Sequence, residues 1–564
     1  MADSLVALPT VSPAVLPDTT DSLVSTPKSD GGSVVEDGPP QAGQRIPGTL
    51  LVACLAIVVG VISTTFMFHQ DWLLLYSDAQ SHLTIARRIF DSKEPGFAQI
   101  GTVWLPIPHL LLLPLVTSYA LWHTGLAAAI VGTGCLAVSA GALWHITARV
   151  GFVPSARAVT VAVFVLNPSI LYLYTVALTE PVLIACLLAA IAGLAGWIFA
   201  RPTYSPGQLA ISAGIPSAAA VLTRYEGWAF VLVGTLFVVI ASWRRWRSVL
   251  HTLALVGAYL VVPLVAVTWW LTFNWVVFGS PLEFAQGVYS AAAQQRSLAA
   301  AGLLPTQGNL ALSLDTFDWS VIGFMGLPML VLAGIGAVIV FMTRGLSTTS
   351  LIIWMPGFIY PFAVLSLVLG QTAIRNDHSL PPGLFNIRFA AGLTPLIALL
   401  VGALVSYVYA RSMRTGWAVA AIALATTAGF TAWSYTEPLV RIDVIREGIS
   451  TTHNGADSAV AAAWLAANND GGDILIDEGA NPILMQLDVP LKTIYARFTG
   501  SSFERALATP VDYATWVYVN TANPGDIVWK ALKDDPGFAS RFTPVFESGP
   551  VRIYELTSAP VGGR

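Results

Sequence analysis

The chain has 564 residues, of which 55% are hydrophobic and only 11% are charged, with 18 Trp and a formal net charge of −4. Soluble proteins carry about 25% charged residues, so a mean hydropathy of +0.68 argues against a soluble enzyme and excludes a disordered chain. The small negative charge offers no nucleic-acid surface. Cys54, Cys135 and Cys186 all lie in apolar runs, which leaves a disulfide framework or a cysteine zinc site unsupported.

Residues 1–47 are rich in Pro, Ser, Asp, Gly and Thr. Such a segment buries too little apolar surface to offset its ordering entropy, and it reads as a disordered tail. The first apolar run, 49–68, comes too late and is too long for a cleavable signal peptide. Its length matches the ~20 residues that a transmembrane helix needs.

Further charge-free stretches run at 125–148, 158–179, 181–200, 202–223, 227–243, 248–282, 319–343, 345–374, 389–410 and 415–436. With the first helix they make about eleven spans in an all-α polytopic membrane bundle. Pro202, Pro206, Gly207, Gly214 and Pro216 predict that one of them is short or broken. Asp315 and Asp318 are expected to mark the start of the span at 319.

One apolar segment, 104–122, is left over, and charge decides its placement. If it does not cross, Arg149, Arg157, Arg201, Arg244, Arg245, Arg247, Arg344, Arg411 and Arg414 share one side. Asp78, Glu180, Glu226, Glu283, Asp315, Asp318 and Asp377 then share the other. The positive-inside rule makes the arginine side cytoplasmic. The reading is therefore eleven spans in the plasma membrane, with the N-terminus inside, the C-terminus outside and 104–122 lying in the outer interface. Twelve spans, with 104–122 crossing, is the competing topology.

The outer loop 69–103 is too long and too polar to be only a connector. Leu83, Ile85, Ala86, Ile89 and Phe90 recur at near-helical spacing, with Arg87, Arg88 and Asp91 on the other face. This predicts an amphipathic helix at the outer interface, with Asp78 at or near its N-cap. After about residue 438 charged residues return. The segments 471–479, 501–507 and 514–521 read as strand, helix and strand, and 540–556 as a closing hairpin. A small α/β domain on the outer face follows, so the expected division is 1–47, 48–437 and 438–564. Asp477 and Glu478 are expected in a solvated turn after the first strand.

Several ionisable residues gather at the outer ends of spans: Glu180 in LTEPVL, Arg224 and Glu226 in LTRYEGW, and Arg388 in NIRFAAG. Charge at membrane depth costs ~2.5–3.5 kcal/mol per residue, so such groups persist where they pair or line a wet cavity. Each has a plainer reading: a structural ion pair for Arg224 and Glu226, a helix start for Glu180, snorkelling for Arg388. His82 and His109 are candidate metal ligands or interfacial structural residues. Carboxylates suit a general base acting on a hydroxyl, and guanidiniums suit a phosphate leaving group. No Walker loop, dinucleotide fingerprint or GxSxG elbow is present.

These segments resemble the GT-C glycosyltransferases, polytopic enzymes that use polyprenyl-phosphate sugars. The resemblance rests on SDAQSHLTIARRIFDS, GTVWLPIPHLLLLP, LTEPVL, LTRYEGW and FNIRFAAGLTPLIAL, covers roughly 50–440, and is nearest to protein O-mannosyltransferase-like and aminoarabinose-transferase-like members. It implies Asp78 as the first-loop catalytic acid and Glu180 as the second. Arg224 and Arg388 would match, by location, the residues that hold the lipid phosphate. Glu226 and His82 join them as substrate-binding candidates. Some relatives carry an adjacent acid pair where this chain has Asp78 and Ala79, so a divalent cation is left open. The implied function is transfer of a sugar from a polyprenyl-phosphate donor to a hydroxyl of a glycan, lipid or secreted protein, with inversion. A transporter or flippase of lipid-linked sugars and a non-catalytic scaffold are the alternatives. The absence of a clear repeat and of charges deep inside spans weighs against the transporter.

Overall fold

Nine helices among the described residues are long and apolar enough to cross a membrane: Thr49–His69, Leu126–Arg149, Glu180–Phe199, Glu226–Trp246, Val249–Phe278, Leu327–Arg344, Thr348–Val368, Ile387–Arg411 and Met413–Ser434. The computed structural model describes residues 46–199, 204–287, 290–436, 441–453 and 455–557. All but the end of the expected tail 1–47, together with Arg201 and Pro202, lies outside them. Residues such as Leu250, Val265 and Val276 are 81%, 63% and 75% exposed. Apolar surface on that scale has a suitable solvent only in lipid.

Two of the expected spans fall short of a full helix, each for a visible reason. Pro154–Val165 stops before Asn167, whose side chain caps a second short helix, Pro168–Leu173. Pro206–Val221 is interrupted by a π-helical turn at Ala210–Gly214, just before Pro216. A proline removes one ladder hydrogen bond and crowds the preceding turn.

Hydrogen bonds between loops sort the chain into two ends. At one end Arg344 donates to Val150 O at 3.1 Å, Arg245 to Ile198 O at 2.6 Å and Arg244 to Leu346 O at 2.6 Å. At the other, Gly308 N donates to Val368 O at 2.8 Å, and Ile107 N to Leu222 O at 3.0 Å. The segment 104–122 stays at this second end. It forms only Ile107–Leu112 and Tyr119–His123, both too short to cross.

One span begins later than expected. Asp315 and Asp318 lie inside a separate helix, Leu310–Met325, and the span itself starts at Leu327. Gly326 divides them with φ 79, a conformation that suits glycine.

The loop helix spans Ser77–Arg88, with Tyr76 at the N-cap and Asp78 in the first turn rather than at the cap. Its charged face is not open to solvent. Arg87 and Asp91 are buried and bond to each other at 2.8 Å, and Arg87 stacks on Trp122. The reason is that two other segments cover this face: Val116, Tyr119 and Trp122 pack on Arg87, while Lys492 N donates to Asp91 and the Phe498 ring lies under Arg88.

That segment carries a five-stranded sheet in the order β2-β1-β3-β5-β4. The strands are Ile474–Ile476 (β1), Ile494–Tyr495 (β2), Trp516–Asn520 (β3), Phe542–Ser548 (β4) and Val551–Leu556 (β5). The first three are parallel, and β4–β5 is an antiparallel hairpin. The helix Ser501–Ala508 lies between β2 and β3. Asp477 is not in a solvated turn but fully buried. It follows the buried strand β1, accepts from Ile527 N at 2.9 Å and pairs with Arg497. Lys93 pairs with Asp473 at 2.6 Å, Glu94 accepts from Ser502 N at 2.9 Å, and Gln486 donates to Gln80 at 2.9 Å. The sheet is thereby fastened to the loop that carries Asp78.

Candidate active site

Four elements bring five charged side chains to one end of the bundle. Asp78 projects from the first turn of Ser77–Arg88. Glu180 opens the helix Glu180–Phe199 just before Pro181, where free backbone N–H groups favour a carboxylate. Arg224 sits in the turn between Ile215–Val221 and Glu226–Trp246, and Glu226 begins the latter helix. Arg388 lies in the first turn of the 3-10 helix Ile387–Leu393, entered from Asn386 at φ 55.

Arg388 joins the acids. It donates to Asp78, and its Nε lies 3.2 Å from Glu180 Oε1. The second contact is close enough for an ion pair but misaligned for a hydrogen bond, since Nε has no bonded partner. Arg224 approaches Glu180 from the other side at 3.0 Å, forks onto Glu226 Oε1 at 3.0 and 2.9 Å, and bonds Thr179 at 2.8 Å. The Phe389 ring lies 4.8 Å from the Arg224 guanidinium, and the Tyr76 ring 5.3 Å from that of Arg388. Asp78, Glu180, Arg224, Glu226 and Arg388 thus meet as one network.

The members differ in exposure. Side-chain exposure is 38% for Asp78 but 9% for Arg388 and 6% for Glu180. Glu180 Oε2 is buried without a hydrogen-bond partner. Burial raises the Asp78 carboxyl, but the Arg388 guanidinium outweighs it and holds the acid below its ordinary range. Asp78 therefore stands ionised at neutral pH, with part of its carboxylate facing outward.

His82 stands apart from this chemistry. It is buried one turn after Asp78, its Nδ1 is 2.8 Å from His109 Nε2, and its ring lies against Trp104. Burial pushes its pKa down to about 4, so it is neutral and offers no cation to a phosphate. The structure places His82, a substrate-binding candidate by sequence, in a buried pair with His109 beside the network. Among the described residues no group of three or more His, Cys, Asp or Glu is arranged to hold a metal ion.

No known family model matches the chain, and no curated protein matches it in sequence. Solved structures do match its fold. The chain is similar to ArnT from Cupriavidus metallidurans bound to undecaprenyl phosphate, with a TM-score of 0.53 and 16% identity over 90% of this chain and 97% of that one. The apo state of the same protein aligns with a TM-score of 0.55 and 14% identity over the same shares. The chain has the GT-C fold.

The sequence alone does not point to two residues that surround the site. Glu447, from the helix Asp443–His453 after the last span, accepts from Asn386 N at 2.8 Å and Ile387 N at 3.2 Å. Tyr76 donates to Val444 O at 2.7 Å. A glutamate among Val444, Ile445 and Gly448 on the buried side of that helix was the available signal. The segment reads instead as the start of a separate outer domain.

Proposed function

We propose that this protein is an integral-membrane glycosyltransferase that moves a sugar from a polyprenyl-phosphate donor to a hydroxyl of an extracytoplasmic glycan, lipid or protein. The observation that carries the reading is the Arg388 bridge between Asp78 and Glu180, at the bundle end opposite the arginine-rich loops. Those loops support a cytoplasmic placement for the far end and an outer-leaflet placement for the site. The GT-C fold supports the reaction class, and ArnT, its structural relative, is itself bound to undecaprenyl phosphate.

The five groups comprise three carboxylates and two guanidiniums, a net charge of −1. An arriving phosphate must therefore compete for a guanidinium that a carboxylate already holds. In the proposed mechanism the donor phosphate takes over the outward edge of Arg388 and frees the partly exposed Asp78. Asp78 then accepts the proton of the acceptor hydroxyl. The acceptor oxygen bonds the anomeric carbon from the face opposite the phosphate as the carbon–phosphate-oxygen bond breaks, and the configuration inverts. The bonding electrons leave with the lipid phosphate, whose charge Arg388 and Arg224 stabilise in a partly desolvated site. Glu180, between the two arginines, orients them, and Glu226 holds Arg224 in place.

Purified protein given radiolabelled polyprenyl-phosphate sugars and candidate acceptors tests this reading. Label transferred to acceptor by the wild type, and lost with Asp78→Asn, is the expected result. Unchanged lipid-linked sugar crossing a liposome bilayer would replace it with a flippase.

A further inference from the structure

Glu447 is a buried carboxylate to which the proposed chemistry assigns no step. Its two oxygens accept from successive backbone N–H groups, Asn386 at 2.8 Å and Ile387 at 3.2 Å. These are the entry residues of the 3-10 helix that carries Arg388. Asn386 adopts φ 55 there and donates its side chain to Ala373 O at 3.0 Å. A non-glycine residue in the left-handed region is held by its surroundings, and the Glu447 carboxylate is the part that bonds the backbone. On the same helix, Val444 O accepts from Tyr76 at 2.7 Å. Tyr76 caps the helix of Asp78 and presents its ring to Arg388 at 5.3 Å. One short helix from beyond the last span therefore holds both sides of the Asp78–Arg388 pair.

We infer that Glu447 is a positioning residue: by clamping the Asn386–Ile387 backbone it aims the Arg388 guanidinium, so the segment after the last span is a structural part of the phosphate-binding site. The inference rests on the reading of Arg388 as a phosphate-binding group. Charge and geometry predict opposite signs for the removal of Glu447, which makes the inference testable. A carboxylate near a phosphate site repels the anion, so losing only its charge strengthens binding. Losing its clamp lets Arg388 drift, which weakens binding.

The experiment measures undecaprenyl phosphate binding to the full-length protein in nanodiscs, for wild type, Glu447→Gln, Arg388→Lys and the double variant. No sugar or acceptor need be known. Arg388→Lys keeps the charge but loses the fork, and is expected to weaken binding about tenfold, as one charge-assisted hydrogen bond would. Glu447→Gln is isosteric and is expected to weaken it about fivefold on the same basis. The double variant should bind no more weakly than Arg388→Lys alone, because a residue that acts through Arg388 has nothing left to aim. A merely structural role would give additive losses. Unchanged or tighter binding by Glu447→Gln, or additive losses in the double variant, overturns the role of Glu447 alone. A wild type that binds no undecaprenyl phosphate overturns the reading of Arg388 and the inference with it.

Discussion

The guanidinium of Arg388 meets the carboxylate of Asp78 across 310 residues of chain. The two lie on different elements, one in a loop helix beyond the first span and one at the mouth of a late span. Their contact makes one site out of residues that are unremarkable one at a time. It also sets what substitution should do.

Replacing Asp78 removes the proposed base while leaving a side chain of the same shape. Loss of a general base typically lowers rates by ~10²–10⁴. Asp78→Asn is expected to lose transfer on that scale while remaining inserted and folded, as size-exclusion and thermal-melt profiles would report. Near-normal transfer by this variant removes Asp78 from the mechanism.

Glu180 balances two arginines, Arg224 at 3.0 Å and Arg388 at 3.2 Å. Removing one partner of a buried ion pair costs about 3–5 kcal/mol where the remaining charge is left uncompensated, but Glu226 and Asp78 still hold the two arginines here, so the cost falls below that range. Glu180→Ala should lower the melting temperature modestly, and Glu180→Gln should lower it less. An unchanged melting temperature for Glu180→Ala would show that Asp78 and Glu226 suffice to compensate the two guanidiniums.

Acid should destabilise the protein through its histidines. Burial lowers the His82 pKa to about 4, and burial drives His109 below its ordinary range as well. Below about pH 6.5 the unfolded chain binds protons that the folded one refuses, so stability falls as pH drops toward 4 and is flat above neutrality. Melting temperatures at pH 7 and pH 5 check the sign. His82→Gln should shrink the difference, and a difference unaffected by that change removes His82 as its source.

Gly448 lies where the helix Asp443–His453 meets the loop and the bundle. A Cβ there would stand 2.8 Å from Leu75 Cβ and 3.2 Å from the Tyr172 hydroxyl. Gly448→Val is therefore expected to displace this helix, and with it the Glu447 clamp, and to cost roughly 1–3 kcal/mol as overpacking does. A thermal melt together with lipid-phosphate binding would detect both effects. Full binding by Gly448→Val would show that the helix need not sit close.

The membrane bundle is legible in the residues alone, because a bilayer admits only long apolar segments and drives charge to their ends. The same constraint placed Glu180, Arg224, Glu226 and Arg388 at span ends, and proline spacing foretold the break within Pro206–Val221. Which charges touch is set by how the elements pack. Pairing across hundreds of residues has no local period for a sequence to display, so the Arg388 bridge, the burial of Arg87 and Asp477, the His82–His109 contact and the Glu447 clamp came from packing alone. The amphipathic pattern of the loop helix shows the limit. It marks a polar face, but whether that face meets water or other parts of the chain depends on Val116, Tyr119 and Trp122 over Arg87 and on Lys492 and Phe498 over Asp91 and Arg88.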